Sequence, residues 1–91
     1  MKSSRASVLI SGKVQGVGYR YWTVQTAKAL GLKGWVRNKP DGRVEAVFQG
    51  STEQVEQMIQ LCHQGPVAAI VSDVTVEMGE PESYAGFQVI S

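Results

Sequence analysis

Hydrophobic and polar positions repeat along this chain with two different periods. From residue 6 to 12 the period is two. Ala6, Val8 and Ile10 fall on one side and Ser7, Leu9 and Ser11 on the other, which predicts a strand with one buried face. From about Tyr19 to Leu30 the period lengthens: Val24, Ala27 and Leu30 share a stripe and Gly31 supplies a left-handed stop, which predicts a helix. Lys33 to Asn38 and Arg43 to Gln49 read as strands flanking Lys39-Pro40-Asp41-Gly42, whose Pro-Asp-Gly order signals a turn. The two strands form a hairpin, with Val44, Ala46 and Phe48 alternating against Glu45, Val47 and Gln49 in the second.

A second helix is expected to open at Gly50 and Ser51. Ser51 with Gln54 makes a capping box, and Val55, Met58, Ile59 and Cys62 follow at the spacing of a buried stripe before Gly65-Pro66 ends the element. Residues 70 to 78 predict a strand with Ile70, Val74, Val76 and Met78 on one face; a loop through Glu80-Pro81-Glu82-Ser83 leads to a closing strand at Phe87 to Ile90. The order β-α-β-β-α-β with a final edge strand predicts an α+β, ferredoxin-like split βαβ sandwich: one antiparallel sheet with both helices on one face. The opposite face is expected to be mostly solvated.

Composition narrows what such a fold could serve. The 91 residues suit one domain over 1–91, and 43% hydrophobic content is enough for a single core. A net charge of +1 offers no broad basic face for a nucleic-acid backbone, so a small ligand is favoured over a polymer. Cys62 is the lone cysteine, which gives a disulfide-stapled reading no support and suits a reducing compartment. The first residues lead into a strand and not into a signal-peptide core, and the longest aliphatic run, Val67 to Val71, is far short of a membrane span. The expectation is a cytoplasmic protein without a membrane or nucleic-acid partner.

Candidate chemistry gathers in Gly12-Lys13-Val14-Gln15-Gly16-Val17-Gly18-Tyr19-Arg20, between the first strand and the first helix. Glycines at 16 and 18 let successive amides converge on an anion, and the helix start adds its unpaired N–H groups. Arg20 in the first turn brings a permanently charged fork that matches two oxygens of a phosphate. Familiar phosphate motifs do not fit. A Walker A loop needs Lys and Ser/Thr where Tyr19 and Arg20 stand, and a dinucleotide fingerprint needs glycine where Tyr21 stands. A Cys-x5-Arg phosphoenzyme loop would require arginine at Ala68, so Cys62 is not that nucleophile. Ligands for a metal are lacking, because His63 is the single histidine and the acidic residues are scattered.

A second segment, Gly34-Trp35-Val36-Arg37-Asn38-Lys39-Pro40-Asp41-Gly42-Arg43-Val44-Glu45, can bring its strand end to the mouth of that cradle. Taken together, the two segments resemble the two signatures of the acylphosphatase family, and the resemblance extends over nearly the whole chain. It includes Gly65-Pro66, although Val67 and Ile70 stand where a second proline and a basic residue are frequent. The resemblance implies hydrolysis of acyl phosphates, which are carboxyl-phosphate mixed anhydrides, by a monomer that uses neither metal nor cofactor. It assigns phosphate binding to Arg20 and the amides of Gln15, Gly16, Val17, Gly18, Tyr19 and Arg20, and the positioning of water to Asn38.

Plainer readings stand beside these. Asn38 before a Pro-Asp-Gly turn could simply cap that turn. Lys13, Arg37, Lys39 and Arg43 read as solvated charges, Trp35 as a sheet residue, His63 as a surface residue, and Cys62 and Met58 as parts of a helix stripe. RNA binding on the sheet would want exposed aromatics where Val14, Val36 and Val47 stand. The rival function is a carbamoyl-phosphate-binding or delivery module built on the same cradle; the 91-residue length points away from it, since such modules usually open much longer chains.

Overall fold

The computed structural model describes residues 2–91. Its elements are β1 (Ser3–Lys13), α1 (Tyr19–Ala29), β2 (Lys33–Asn38), β3 (Val44–Ser51), α2 (Thr52–Cys62), β4 (Ile70–Gly79) and β5 (Phe87–Val89). The five strands lie in the order β4-β1-β3-β2-β5. The helices cover one face, α2 over β1 and β3 and α1 over β2 and β5. The split βαβ expectation holds, with one change in the sheet. Neighbours from β4 through β2 are antiparallel, but β5 joins β2 in parallel, so the sheet is mixed and not wholly antiparallel.

Parallel joining follows from the last connection. β4 and β5 occupy opposite edges, so residues 80–86 must cross one end of the sheet, and the chain then enters β5 running with β2. Side chains along that end hold the crossing in place. Arg5 Nε donates to the Glu80 carbonyl at 2.6 Å, and the Gln49 side chain exchanges two hydrogen bonds with the Glu82 backbone at 2.6 and 2.8 Å. The opposite end of the sheet is where β1, β2 and β5, all pointing the same way, deliver their C-terminal residues. That end is free to form a site.

The core lies between the helices and the sheet. Ala6, Val8 and Ile10 of β1 and Val44, Ala46 and Phe48 of β3 are all fully buried, as their alternation predicts. α2 buries Val55, Met58 and Cys62, and Ser51 caps it by accepting from the Gln54 amide at 3.3 Å. Gly50 and Ser51 themselves belong to β3 and only then turn into the helix.

Three expectations need correction. The buried stripe of α1 is Tyr19, Thr23 and Ala27, with Val24 and Leu30 at its partly buried margin. Polar atoms do not bar the first two from the interior because each is paired: Tyr19 Oη donates to the Cys62 carbonyl at 2.7 Å and Thr23 Oγ1 to the Tyr19 carbonyl at 2.8 Å. Ile70 does not share a face with Val74. A bulge leaves Ser72 without a partner on β1, which reverses the alternation, so Val71 packs on the core and Ile70 is 66% exposed. Gly12 is what permits the bulge, since a Cβ there would collide with the Ile70 carbonyl and the Ser72 amide. Finally, Val47 is buried on the face turned away from the helices, where Ser7 and Trp35 flank it in register.

Candidate functional site

At the end of the sheet opposite the crossing lies an open cleft of about 430 Å³. Its walls are Val14, Gly16, Gly18, Tyr19, Arg20, Tyr21, Val24, Asn38 and Val89. The two segments singled out in the sequence thus meet across one space: the loop after β1 on one side, the end of β2 on the other.

The loop is built to leave donors unpaired. Gly18 is the N-cap of α1 with φ of 82°, a left-handed conformation that an L residue adopts only with strain. It has no side chain to fold back onto the first-turn amides, and that turn contains no acidic residue. The first internal bond of the helix runs from the Trp22 amide to the Gly18 carbonyl at 3.0 Å. Among the described residues, the amides of Gln15 through Arg20 donate to no backbone carbonyl. Unpaired amides at a helix start form an anion-binding end. Tyr19, buried beneath them, ties this end to the last turn of α2 through its bond to the Cys62 carbonyl.

Charge in the cleft has one sign. Arg20 is exposed and pairs with no carboxylate among the described residues, whereas Arg5, Arg37 and Arg43 sit beside Glu82, Glu45 and Asp41 at 3.6, 2.6 and 2.7 Å. No carboxylate or imidazole lines the cleft. Burial, together with the neighbouring Cys62, pushes the Tyr19 phenol well above its ordinary range, so it stays neutral. The Cys62 thiol is raised to about 12 by its own burial and is inert.

Asn38 supplies the other polar group. Its Oδ1 is buried and has no hydrogen-bond partner. A buried carbonyl oxygen left unpaired costs about 1–3 kcal/mol. The turn-cap reading would give Asn38 a bond into residues 39–42; that turn is instead closed by its own backbone and by Asp41, which accepts from the Arg43 amide at 3.0 Å and from Arg43 Nε at 2.9 Å. Proximity to Arg43 holds the Asp41 carboxyl at about 2.

Not every loop residue faces the cleft. Gly16, Gly18, Tyr19 and Arg20 do, while Val17 packs against the core and Gln15 turns its side chain towards the hairpin. Conversely, the apolar wall of Tyr21, Val24 and Val89 escaped the sequence reading. Val89 reaches the cleft only because β5 pairs beside Val36 of β2, a long-range contact that has no local signature.

A helix start with unpaired amides, one arginine without a carboxylate partner among the described residues and an unpaired amide oxygen on a ferredoxin-like sheet make a cleft suited to a small oxyanion ligand. Comparison with known proteins makes that reading specific. The Acylphosphatase family model matches residues 6–89. An acylphosphatase from Trichormus variabilis is 61% identical over 85 residues, covering 93% of this chain and 84% of that protein. One from Haloarcula marismortui is 52% identical and covers 98% of each. Among solved structures, an acylphosphatase from Coxiella burnetii superposes with a TM-score of 0.94 at 36% identity, covering 97% of this chain and 93% of that one. The chain belongs to the acylphosphatase family.

Proposed function

We propose that this protein hydrolyses acyl phosphates by direct attack of water, with the phosphoryl group held in the cleft between the loop amides and Arg20. Family membership supports the reaction class. The observation that carries the site assignment is the buried, unpartnered Oδ1 of Asn38 in the same cleft as the unpaired Arg20.

In this reading, the amides of Gln15 to Arg20 and the Arg20 guanidinium bind the phosphoryl oxygens and meet the negative charge that they carry in the transition state. Asn38 Oδ1 accepts one hydrogen of a water and turns its lone pair towards phosphorus, in line with the leaving group. An oxygen–phosphorus bond forms, the bond from phosphorus to the acyl oxygen breaks, and its electron pair leaves on the carboxylate. The water proton passes to a phosphoryl oxygen of the substrate, since an amide cannot act as a base. A carboxylate is a good leaving group, so positioning and charge stabilisation carry the catalysis without a strong acid. The acyl group lies along Tyr21, Val24 and Val89.

The protein acts in this scheme as a cytoplasmic monomer on a small substrate, without nucleic acid. The small net charge supports the absence of a nucleic-acid partner, and the confinement of the cleft to one end of the sheet supports a small substrate. A carbamoyl-phosphate delivery role is not favoured, because relatives aligned over 84% and 98% of their own lengths are named acylphosphatases. The test is turnover of benzoyl phosphate and acetyl phosphate with chelator present. Saturable hydrolysis that orthophosphate inhibits competitively is expected; binding without turnover would favour delivery.

A further inference from the structure

The loop that carries Arg20 and the strand end that carries Asn38 are not neighbours in the sheet. β3 lies between β1 and β2, which separates the two strands by roughly 9–10 Å. Hydrogen bonding from β1 to β3 ends at the pair Ile10 and Val44, and Val44 in turn pairs with Asn38 on β2, so the ladder ends level with Asn38 and reaches neither the cradle at 14–18 nor the turn at 39–42. Beyond that point the distance between cradle and hairpin is not set by backbone pairing. One side chain bridges the interval.

Gln15 Nε2 donates both of its hydrogens across it, to the Lys39 carbonyl at 2.8 Å and to the Arg43 carbonyl at 3.0 Å. Those carbonyls form the base of the hairpin turn, which the Lys39 amide closes by donating to the Arg43 carbonyl at 2.8 Å. Gln15 itself lies between Val14, which is 1% exposed, and Gly16, which lines the cleft. Lys39 directly follows Asn38. The side-chain amide therefore grips the hairpin one residue away from Asn38, whose oxygen is unpaired, and is carried by the first residue of the cradle.

Resting on the function proposed above, we infer that Gln15 is a positioning residue: through its side chain it sets the distance between the phosphate cradle and the water-orienting oxygen of Asn38. This role is separate from the part played by its backbone amide in the cradle. It requires a donor of two hydrogens at that length. Glutamate has the length but donates nothing and would repel both carbonyls; methionine keeps the volume and loses the bonds. A misplacement of about 1 Å at a reacting centre costs on the order of a hundredfold in rate.

Gln15→Met and Gln15→Glu test this in the full chain. Expected in both is a fall in kcat of roughly ten- to a hundredfold, with inhibition by orthophosphate unchanged within about twofold, because the cradle and Arg20 remain. The sharper readout is the double variant. Once Asn38→Ala has removed the positioned oxygen, adding Gln15→Met should cost nothing further, whereas a general contribution to folding would lower activity again and lower the melting midpoint. Wild-type kcat in Gln15→Met, a parallel loss of phosphate inhibition, a multiplicative loss in the double variant, or unfolding of both single variants would each overturn the inference. Absence of acyl-phosphate turnover in the wild type would instead remove the proposed function, so the two failures are told apart.

Discussion

The 14–18 loop and the 39–42 turn face the same end of the sheet, both contain glycine in the left-handed region, and they dispose of their amides in opposite ways. In the turn, the Lys39 amide donates to the Arg43 carbonyl, the Gly42 amide to the Lys39 carbonyl at 3.1 Å, and the Arg43 amide to the Asp41 carboxylate. In the loop, the amides from Gln15 to Arg20 find no backbone acceptor among the described residues. The arginines repeat the contrast, since Arg43 is held by Asp41 at 2.7 Å and Arg20 pairs with no carboxylate among the described residues. A backbone that satisfies itself is a hinge for the chain. One that does not is a socket with donors to spare, which is what the proposed binding of an external anion requires. Composition alone cannot make that distinction, because Pro-Asp-Gly and Gly-Val-Gly are both turn-forming.

The strongest way to break the contrast is to remove the unpaired charge. Arg20→Gln should lower kcat/KM at least a hundredfold to a thousandfold, the loss typical of a preorganised donor worth about 2.7–4 kcal/mol, and orthophosphate should no longer compete. Because Arg20 is exposed and makes no ion pair among the described residues, the melting midpoint should stay near wild type. Activity that survives this change would detach the cleft from the reaction. Asn38→Ala is the next test, and it separates function from stability. Turnover should fall by about a hundredfold or more while phosphate competition is retained. The variant should also be no less stable than wild type, because a buried acceptor that had no partner has been deleted. A marked loss of stability with full turnover would restore Asn38 to a purely structural role.

Legibility in the sequence follows the range of the interactions. The core-facing positions of β1 and β3 are legible because a half-buried strand writes its faces into alternate positions, although the strand ends and the burial of Val47 on the outer face are not, and the Ser51 cap is legible because its partner is three residues away. The α1 stripe departs from its hydropathy pattern for a chemical reason: Tyr19 and Thr23 look polar in that pattern, yet their hydroxyls are satisfied at the Cys62 and Tyr19 carbonyls and both are buried. Ile70 falls on the other face from the one its alternation predicts because the bulge at Ser72 reverses that alternation. At the site, Gly16, Gly18, Arg20 and Asn38 are legible as residue types suited to an anion and a water. Val89 and the Gln15 side chain are not, since each acts over tens of residues of chain through contacts that only the closed sheet creates.

Glycine substitutions sharpen the comparison with a smaller expected effect. A Cβ at Gly18 or at Gly42 meets no atom within 4 Å, and φ is 82° at one and 96° at the other, so the local strain should be similar. Alanine at either position should cost about 1–2 kcal/mol in stability. The kinetic outcomes should differ. Gly18→Ala should re-aim the free amides and lower kcat/KM by about tenfold or more, while Gly42→Ala should leave turnover near wild type, because Gln15 holds the base of the turn independently of its tip. Equal kinetic losses in the two variants would erase the distinction between socket and hinge.

The smallest effect concerns what locks the hinge. The Asp41 carboxylate is held at about 2, well below its ordinary value, first by its hydrogen bond to the Arg43 side chain and then by the Arg43 amide. A carboxyl depressed in the folded state stabilises the fold at pH values above its unfolded pKa. That contribution fades as pH falls from the unfolded value near 3.8 through about 2. Asp41→Asn should therefore melt slightly below wild type at neutral pH, and the gap should close in acid. The pair is exposed, so added salt should also shrink the gap at neutral pH. Turnover at neutral pH should not change, since Asp41 does not line the cleft. Melting midpoints of both proteins across that acid range, with and without salt, decide the matter. A gap that persists below the depressed value would mean that Asp41 holds the turn by shape and not by charge, and the contrast with the unpaired Arg20 would then rest on the amides alone.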